Sequence, residues 1–396
     1  MTNIYIIDAI RTPIGRFGGS LKRFSAVDLG SIAIKHLIDK HGIPYEAYDI
    51  VLMGHVLRTA TGQDTARQAA IKAGLPLSLD AMTIEMVCSS GMASVILGSS
   101  MLRAGDLTNG LAIVGGMESM SNAPFAIPSD YRWGVKFILN RRYELIDTMY
   151  HDGLYDIVEN KVMGEEADKV AKERGIVKEE LDEIGYRSQV KALKALNQGL
   201  FRDEIIPIRD EAGEVILDRD EGIRENTSLE KIRGLKPVFS NDGLHTAATS
   251  SQISDGAAAL ILGDEDAVSK YDLSPRARII GYSWASTETW RFVEAPPIAI
   301  KKILDKTGFD IKDIDVFENN EAFAVSSIVV NQDLGIDYDR LNLFGGALAL
   351  GHPIGCSGTR IIVTLLNVME KKNYRYGMAS LCHGLGGATA ILVERL

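Results

Sequence analysis

The sequence predicts an α/β protein made of two similar βα halves with a charged insertion between them, and three observations carry that reading. Short apolar runs with strand character alternate with longer amphipathic stretches over most of the chain. The two flanking regions share one outline. Each opens with a strand and a helix, continues with a strand ending in polar residues (Met53-Gly54-His55; Glu318-Asn319-Asn320), turns on small residues into a long apolar helix (Cys88-Ser89-Ser90-Gly91; Gly355-Cys356-Ser357-Gly358), and closes on Gly-rich strands. The middle, from about Ser121 to about Ser251, is charged and helical instead.

Taken in order, Ile4–Ala9 reads as a strand, Ala26–Lys40 as a helix, Ile50–Val56 as a strand and Thr65–Ala73 as a helix. Ser89–Arg103 has helical spacing and leads to the strand-like Leu111–Gly115. Inside the insertion, Gly164–Glu173 and Lys178–Leu200 read as helices, and Glu211-Ala212-Gly213-Glu214 marks a hairpin turn. The second half adds strands at Ala277–Tyr282, Ile314–Glu318, Met378–Cys382 and Ala388–Val393, with helices at Ala299–Lys306, Ala322–Leu334 and Gly358–Lys371. The division expected is residues 1–120 plus 251–270 for the first half, 121–250 for the insertion and 271–396 for the second half.

The 396 residues carry a net charge of −10, which argues against a general nucleic-acid binder but leaves room for an anionic small molecule held by local Arg and Lys. Three cysteines, an odd number without C-x-x-C or Cys/His spacing, point to thiols in a reducing compartment and to no metal site. No leader pattern, peroxisomal address or apolar run of the ~20 residues needed to span a bilayer is visible, so a soluble cytoplasmic protein with no membrane partner is expected.

Four constellations could carry chemistry. Cys88 lies at a strand-to-helix junction, where small residues allow a tight turn and the free N–H groups of the helix start favour a thiolate or oxyanion; a buried structural thiol remains the competing reading. His352 stands in Gly351-His352-Pro353-Ile354-Gly355, where Pro353 forces a loop, and its imidazole could accept a thiol proton. Cys382-His383-Gly384 sits among glycines whose N–H groups could approach a ligand. Asn320 in Asn319-Asn320-Glu321-Ala322-Phe323 could hold a water while Phe323 presents an apolar face, or it could simply cap a helix. No dinucleotide or Walker-type phosphate loop is present.

Together these stretches resemble the thiolase family. The region around Cys88 with Gly115-Gly116-Met117-Glu118-Ser119-Met120-Ser121 is similar to its first signature, Asn320-Glu321-Ala322-Phe323 to its Asn-Glu-Ala-Phe motif, Gly351-His352-Pro353 to its Gly-His-Pro motif and Cys382-His383-Gly384 to its Cys-x-Gly motif; Arg11-Thr12-Pro13-Ile14-Gly15 also fits, and the order covers essentially the whole chain. The resemblance implies a thiolase fold with a layered α/β/α/β/α core and an inserted loop domain that binds CoA. It implies that Cys88 is acylated in a ping-pong reaction, that His352 activates it, and that His352 with a water held by Asn320 forms one oxyanion hole. Backbone N–H groups of Cys88 and Gly384 would form the second hole, and Cys382 would be the acid/base at the α-carbon. CoA thioesters are then substrates, with no cofactor.

For CoA, the same resemblance implicates Leu154 and Met163 along the pantetheine channel, Arg224 and Phe239 at the nucleotide end, Ala247 and Ser251 along the pantetheine, and Phe323. It suggests a homodimer or homotetramer, with a downstream acetoacetyl-CoA-using enzyme as a conceivable partner. The chain departs from the family pattern at Glu85 (usually Asn), Val162 (often His), Thr249-Ser250-Ser251-Gln252, Cys356 (usually Ala, read as structural) and Thr287–Glu294, where Trp290 and Phe292 replace a Pro- and Met-containing loop. Those two bulky residues favour a short acyl group, hence an acetyl-CoA C-acetyltransferase that condenses two acetyl-CoA into acetoacetyl-CoA. A degradative 3-ketoacyl-CoA thiolase is the alternative within the class. A non-catalytic acyl-CoA-binding protein of the same fold is the alternative outside it.

Overall fold

The structure is a computed structural model and describes residues 2–133 and 145–396. The first half runs β1 (Ile4–Arg11), α1 (Ala26–His41), β2 (Ile50–Gly54), α2 (Thr65–Lys72), β3 (Asp80–Ile84), α3 (Ser90–Ala104) and β4 (Leu111–Ser119). The described residues between Met120 and Ile253 then lie outside the sheet, with α4 (Met163–Glu173) and α5 (Lys178–Asn197) as their main helices. The chain returns as β5 (Ser254–Asp264). It continues as β6 (Ala277–Ser286), α6 (Ala295–Thr307), β7 (Val316–Asn319), α7 (Ala324–Leu334), α8 (Ile354–Lys372), β8 (Tyr376–His383) and β9 (Gly387–Arg395).

The main strands form one sheet in the order β3-β2-β4-β5-β1-β6-β9-β8-β7. Within the first half, β2, β4, β5 and β1 neighbour one another with parallel, antiparallel and antiparallel pairings. In the second half β7, β8, β9 and β6 repeat that sequence of senses. Ile4–Ile6 of β1 lie opposite Ala277–Ile279 of β6 and join the halves. Two halves with one connectivity are what the shared outline of the sequence predicts.

Both faces of the sheet are covered. Ile4 and Ile6 of β1, Val114 of β4 and Leu260 of β5 face an inner layer, while Ile7, Ile113 and Ile261 face an outer layer with α1 and α2. A third cluster packs α6 against the outer face of the second half. Helices α3 and α8 lie against each other between the halves, giving the five-layer arrangement. Close contact between them needs glycine: a Cβ on Gly358 would fall 2.3 Å from the Met92 nitrogen, and one on Gly91 would fall 2.9 Å from the Gly355 carbonyl oxygen. Every residue of α8 from Ile354 to Met369 is buried, as expected of a helix that is apolar or small on nearly all sides.

The structure extends the sequence reading in three places. β5 is a full strand, hidden in the sequence by the run Gly256-Ala257-Ala258-Ala259, whose small residues have weak β propensity. Helix α6 begins at Ala295, because Pro296 and Pro297 fall in its first turn, where no N–H is required of them. Helix α8 begins at Ile354, directly after Pro353. The insertion is anchored to β1 by Arg11, which is fully buried and donates to Glu204 at 2.7 Å and to both oxygens of Asp220 at 2.7 and 2.8 Å.

Candidate active site

Cys88 follows Val87, whose φ of 46° is a costly conformation for a β-branched residue and is held by local bonds. The Glu85 carboxylate accepts from the Val87 N–H at 2.8 Å; Ser90 Oγ accepts from the Met86 N–H at 2.8 Å and donates to the Val87 carbonyl at 2.6 Å. Glu85, the departure from the usual Asn, therefore serves as the acceptor that pins the elbow. The Cys88 sulfur is buried and meets the backbone N–H groups of Gly384 and of Cys88 itself. Burial pushes the thiol up to about 12, against the lowering effect of those two N–H groups.

His352 enters from the other half. Gly351, at φ 106°, ends the short helix Ala347–Leu350, and Pro353 precedes α8. The His352 N–H donates to the Gln252 carbonyl at 3.0 Å. Its ring Nδ1 lies 2.5 Å from Ser357 Oγ, and that hydroxyl donates to the Pro353 carbonyl at 2.9 Å. With the serine proton so used, Oγ accepts from Nδ1–H, which leaves Nε2 as the bare basic nitrogen. Burial, aided by the Arg360 charge, pushes His352 down to about 3, so the imidazole is neutral near neutral pH.

Asn320 Nδ2 stands 3.5 Å from His352 Nε2, and Arg360 Nη2 donates to Asn320 Oδ1 at 3.1 Å. Helix α7 starts only at Ala324 with Phe323 as its N-cap, so Asn320 is not the cap residue of that helix. Cys382, at the end of β8, is buried; desolvation and the nearby Cys88 both push its thiol up. Cys356 is buried in the core between α3 and α8.

The residues implicated in CoA binding divide into two groups. Arg224 and Ala247 line a cavity of about 500 Å³ that also holds Arg16 and Lys231. The Arg224 guanidinium has no ion pair among the described residues, while its backbone N–H donates to Gln189 Oε1 at 2.9 Å. Met163 lines a separate cavity of about 440 Å³ with Val87, the residue before Cys88, and Gly384. Phe323 links the groups, meeting Phe239 and Phe292 edge-to-face at centroid distances of 5.9 Å in each case. Ser251 donates its N–H to the Ala322 carbonyl at 2.9 Å, and Leu154 packs partly buried on the inner core. Phe292 is fully buried in a cluster with Met163 and Cys382, whereas Trp290 lies beneath Lys169 and Arg291.

Matches to known proteins agree with this geometry. Residues 4–266 match the family model described as thiolase, N-terminal domain, and residues 273–395 match thiolase, C-terminal domain. The chain belongs to the thiolase family. It is 46% identical to an acetyl-CoA acetyltransferase of Synechocystis over the full length of both chains, and 40% identical to one of Cupriavidus necator over the full length of both. Among solved structures, Acat5 thiolase from Ascaris suum in complex with coenzyme A aligns with a TM-score of 0.93 at 37% identity over all of both chains. The acetyl-CoA acetyltransferase of Bacillus anthracis aligns at 0.95 and 36% identity, covering 100% of this chain and 99% of the other.

Several residues shape this thiolase site without having been singled out by sequence reasoning. Glu118, buried on β4, accepts the Gly355 N–H at 2.9 Å and the Val56 and Leu57 N–H groups at 3.2 and 3.3 Å, fixing the start of α8 against the first half. Gln252 ties the His352 loop from both ends, donating to Leu348 and Ala349 carbonyls at 3.2 Å while its own carbonyl holds the His352 N–H. For Glu118 a signal existed: an acid within a strand otherwise free of charge implies a buried, bonded carboxylate. Among the described residues no group of three or more His, Cys, Asp or Glu is placed to hold a metal ion, and no helix is long and apolar enough to cross a membrane.

Proposed function

We propose that this chain is an acetyl-CoA C-acetyltransferase that interconverts two acetyl-CoA with acetoacetyl-CoA and CoA through an acetyl-Cys88 intermediate. The observation that supports the reading is the seat of Cys88: its sulfur meets two backbone N–H groups, of Cys88 and Gly384, donors of the kind an oxyanion hole requires. In thiolysis, the Cys88 proton passes to His352 Nε2 and the sulfur attacks the ketone carbon of acetoacetyl-CoA. The alkoxide forms in the hole, the carbon–carbon bond breaks, and the acetyl-CoA enolate takes the Cys382 proton. CoA thiol then gives its proton to the Cys382 thiolate and attacks acetyl-Cys88; the departing Cys88 thiolate recovers its proton from His352. While protonated, His352 donates from Nε2 to the enolate oxygen beside Asn320. The raised pKa of Cys382 suits a group that holds a proton until the enolate forms.

The insertion, residues 121–250, is assigned to CoA. Arg16, Arg224 and Lys231 outnumber Glu221 and Glu225 in the larger cavity and offer cations to a phosphate end, and Met163 and Phe323 lead toward the thiols. Phe292 fills space between Phe323 and the Cys382 cluster, which favours an acetyl group over longer chains; relatives named acetyl-CoA acetyltransferase support the same choice. Assembly as a dimer or tetramer and a cytoplasmic location belong to this reading as well.

The test is mass spectrometry after mixing with acetoacetyl-CoA, followed by turnover against 3-ketooctanoyl-CoA. One acetyl group on the Cys88 peptide and faster use of the short substrate are expected. No adduct with no turnover would overturn the catalytic reading, and preference for the long substrate would overturn the acetyl assignment.

A further inference from the structure

Helix α8 carries a guanidinium that none of the steps above uses. Arg360 is fully buried, eight residues beyond His352, and one of its nitrogens donates to the Asn320 side-chain oxygen at 3.1 Å. Its Nε and Nη1 have no hydrogen-bond partner, and neither has either oxygen of the buried Glu318, two residues before Asn320. Glu318 is nonetheless the carboxylate whose charge most favours the Arg360 cation. A buried cation without a contact ion pair is expensive, so its single strong bond needs a reason.

The orientation of Asn320 supplies it. An amide can present either its oxygen or its NH2 to a neighbour, and the two orientations are nearly isosteric. Arginine has donors only, so the Asn320 oxygen must face Arg360, and its NH2 must face His352 Nε2. With the amide reversed, the Asn320 oxygen would take the place where the enolate oxygen needs a donor. We infer that Arg360 is a positioning residue of the reaction: it fixes the Asn320 amide so that the NH2 group points into the oxyanion hole shared with His352. This rests on the acetyltransferase reading of the site. The Arg360 charge also helps keep the neighbouring imidazole neutral.

The experiment is a double-mutant cycle on the full-length enzyme. Arg360→Met, Asn320→Ala and the pair are assayed for acetoacetyl-CoA thiolysis, with circular dichroism and melting to confirm folding. Arg360→Met is expected to lower kcat about 10²-fold with little change in KM, and the double variant to be no slower than Asn320→Ala alone. Arg360→Lys, which keeps charge and a donor, should recover part of the loss. Should Arg360→Met fail to fold because Glu318 is left without its counter-charge, the whole cycle is run in a Glu318→Gln background. Multiplying losses in the double variant, or an unchanged kcat for folded Arg360→Met, would overturn the inference alone. Absence of turnover and of Cys88 acetylation in the unmodified enzyme would overturn both it and the function on which it rests.

Discussion

Replacing Ser357 by alanine tests how the catalytic base is prepared. The serine hydroxyl is the partner of His352 Nδ1, at 2.5 Å, and it is oriented by its own bond to the Pro353 carbonyl at 2.9 Å. Because burial and the Arg360 charge hold the imidazole down to about 3, the ring is neutral near pH 8, and what matters there is which nitrogen carries the proton. In the tautomer that accepts the Cys88 proton, Nδ1–H needs an acceptor, and alanine removes it. An unpaired buried N–H costs about 1–3 kcal/mol, which at about 1.36 kcal/mol per tenfold corresponds to a loss of about 5- to 160-fold in acylation rate. The assay is rapid-quench mass spectrometry of Cys88 acetylation by acetoacetyl-CoA at pH 8. Ser357→Thr, which retains the hydroxyl, should recover much of the rate. A folded Ser357→Ala enzyme within two-fold of the parent, or a threonine variant as slow as the alanine one, would refute the assignment of Nε2 as the base.

Phe292→Ala should destabilise the protein by about 3–5 kcal/mol and raise turnover of 3-ketohexanoyl-CoA relative to acetoacetyl-CoA by about tenfold; an unchanged ratio in folded enzyme would remove Phe292 from the acyl pocket. Glu166 is raised to about 8, first by burial and then by Asp156, so its folded pKa lies above its unfolded value. That carboxyl is neutral in both states below the ordinary Glu range, and its ionisation opposes folding as pH climbs from about 4.5 toward 8. Glu166→Gln should therefore raise the melting temperature at pH 8 and leave it nearly unchanged at pH 4, and equal effects at both would contradict the linkage. At Gly116 a Cβ would lie 2.2 Å from the Gly355 carbonyl oxygen. Gly116→Ala should push the start of α8 away from β4 and lower kcat about 10²-fold, and a crystal structure showing an unmoved His352 would exclude this cause.

Much of the fold was legible because its signals are local: inner and outer residues alternate cleanly along β4, and α8 is preceded by Gly351-His352-Pro353. β5 was missed because alanines and a glycine fill it, and what makes it a strand is pairing with β4 on one side and β1 on the other. At the site, Cys88, His352, Asn320 and Cys382 stood out because each lies within a short motif. Ser357, Glu118 and Gln252 lie in quoted stretches but were given no role there, and Arg360 was not named, although each bonds to a motif residue. Glu118 reaches Gly355 across 237 positions, a role that exists only once the halves have met, and Arg360 reaches Asn320 across 40, a role that exists only once α8 has packed within the second half. The residues implicated in CoA binding are scattered over the insertion and beyond it, without a local phosphate loop, and proximity in the chain does not reveal which of them share a cavity.

The duplication explains where the chemistry sits. Each half supplies one helix start to the middle layer, and the glycine contacts between α3 and α8 bring those two starts together. In the proposed mechanism the first half brings Cys88 as nucleophile and the second brings His352, Asn320 and Cys382, so neither half would be complete alone. Deep burial has a cost that the proposed mechanism turns to use: a Cys88 thiol raised to about 12 and a His352 imidazole lowered to about 3 are both neutral at rest. Such a pair reacts poorly with an electrophile or oxidant that merely diffuses in. A substrate carbonyl placed against the Cys88 and Gly384 N–H groups changes this, because the negative charge leaving the sulfur has a prepared destination. In the proposed mechanism activation is thereby tied to occupancy of the hole, and an acetyl group on the buried Cys88 would be held where water has little access.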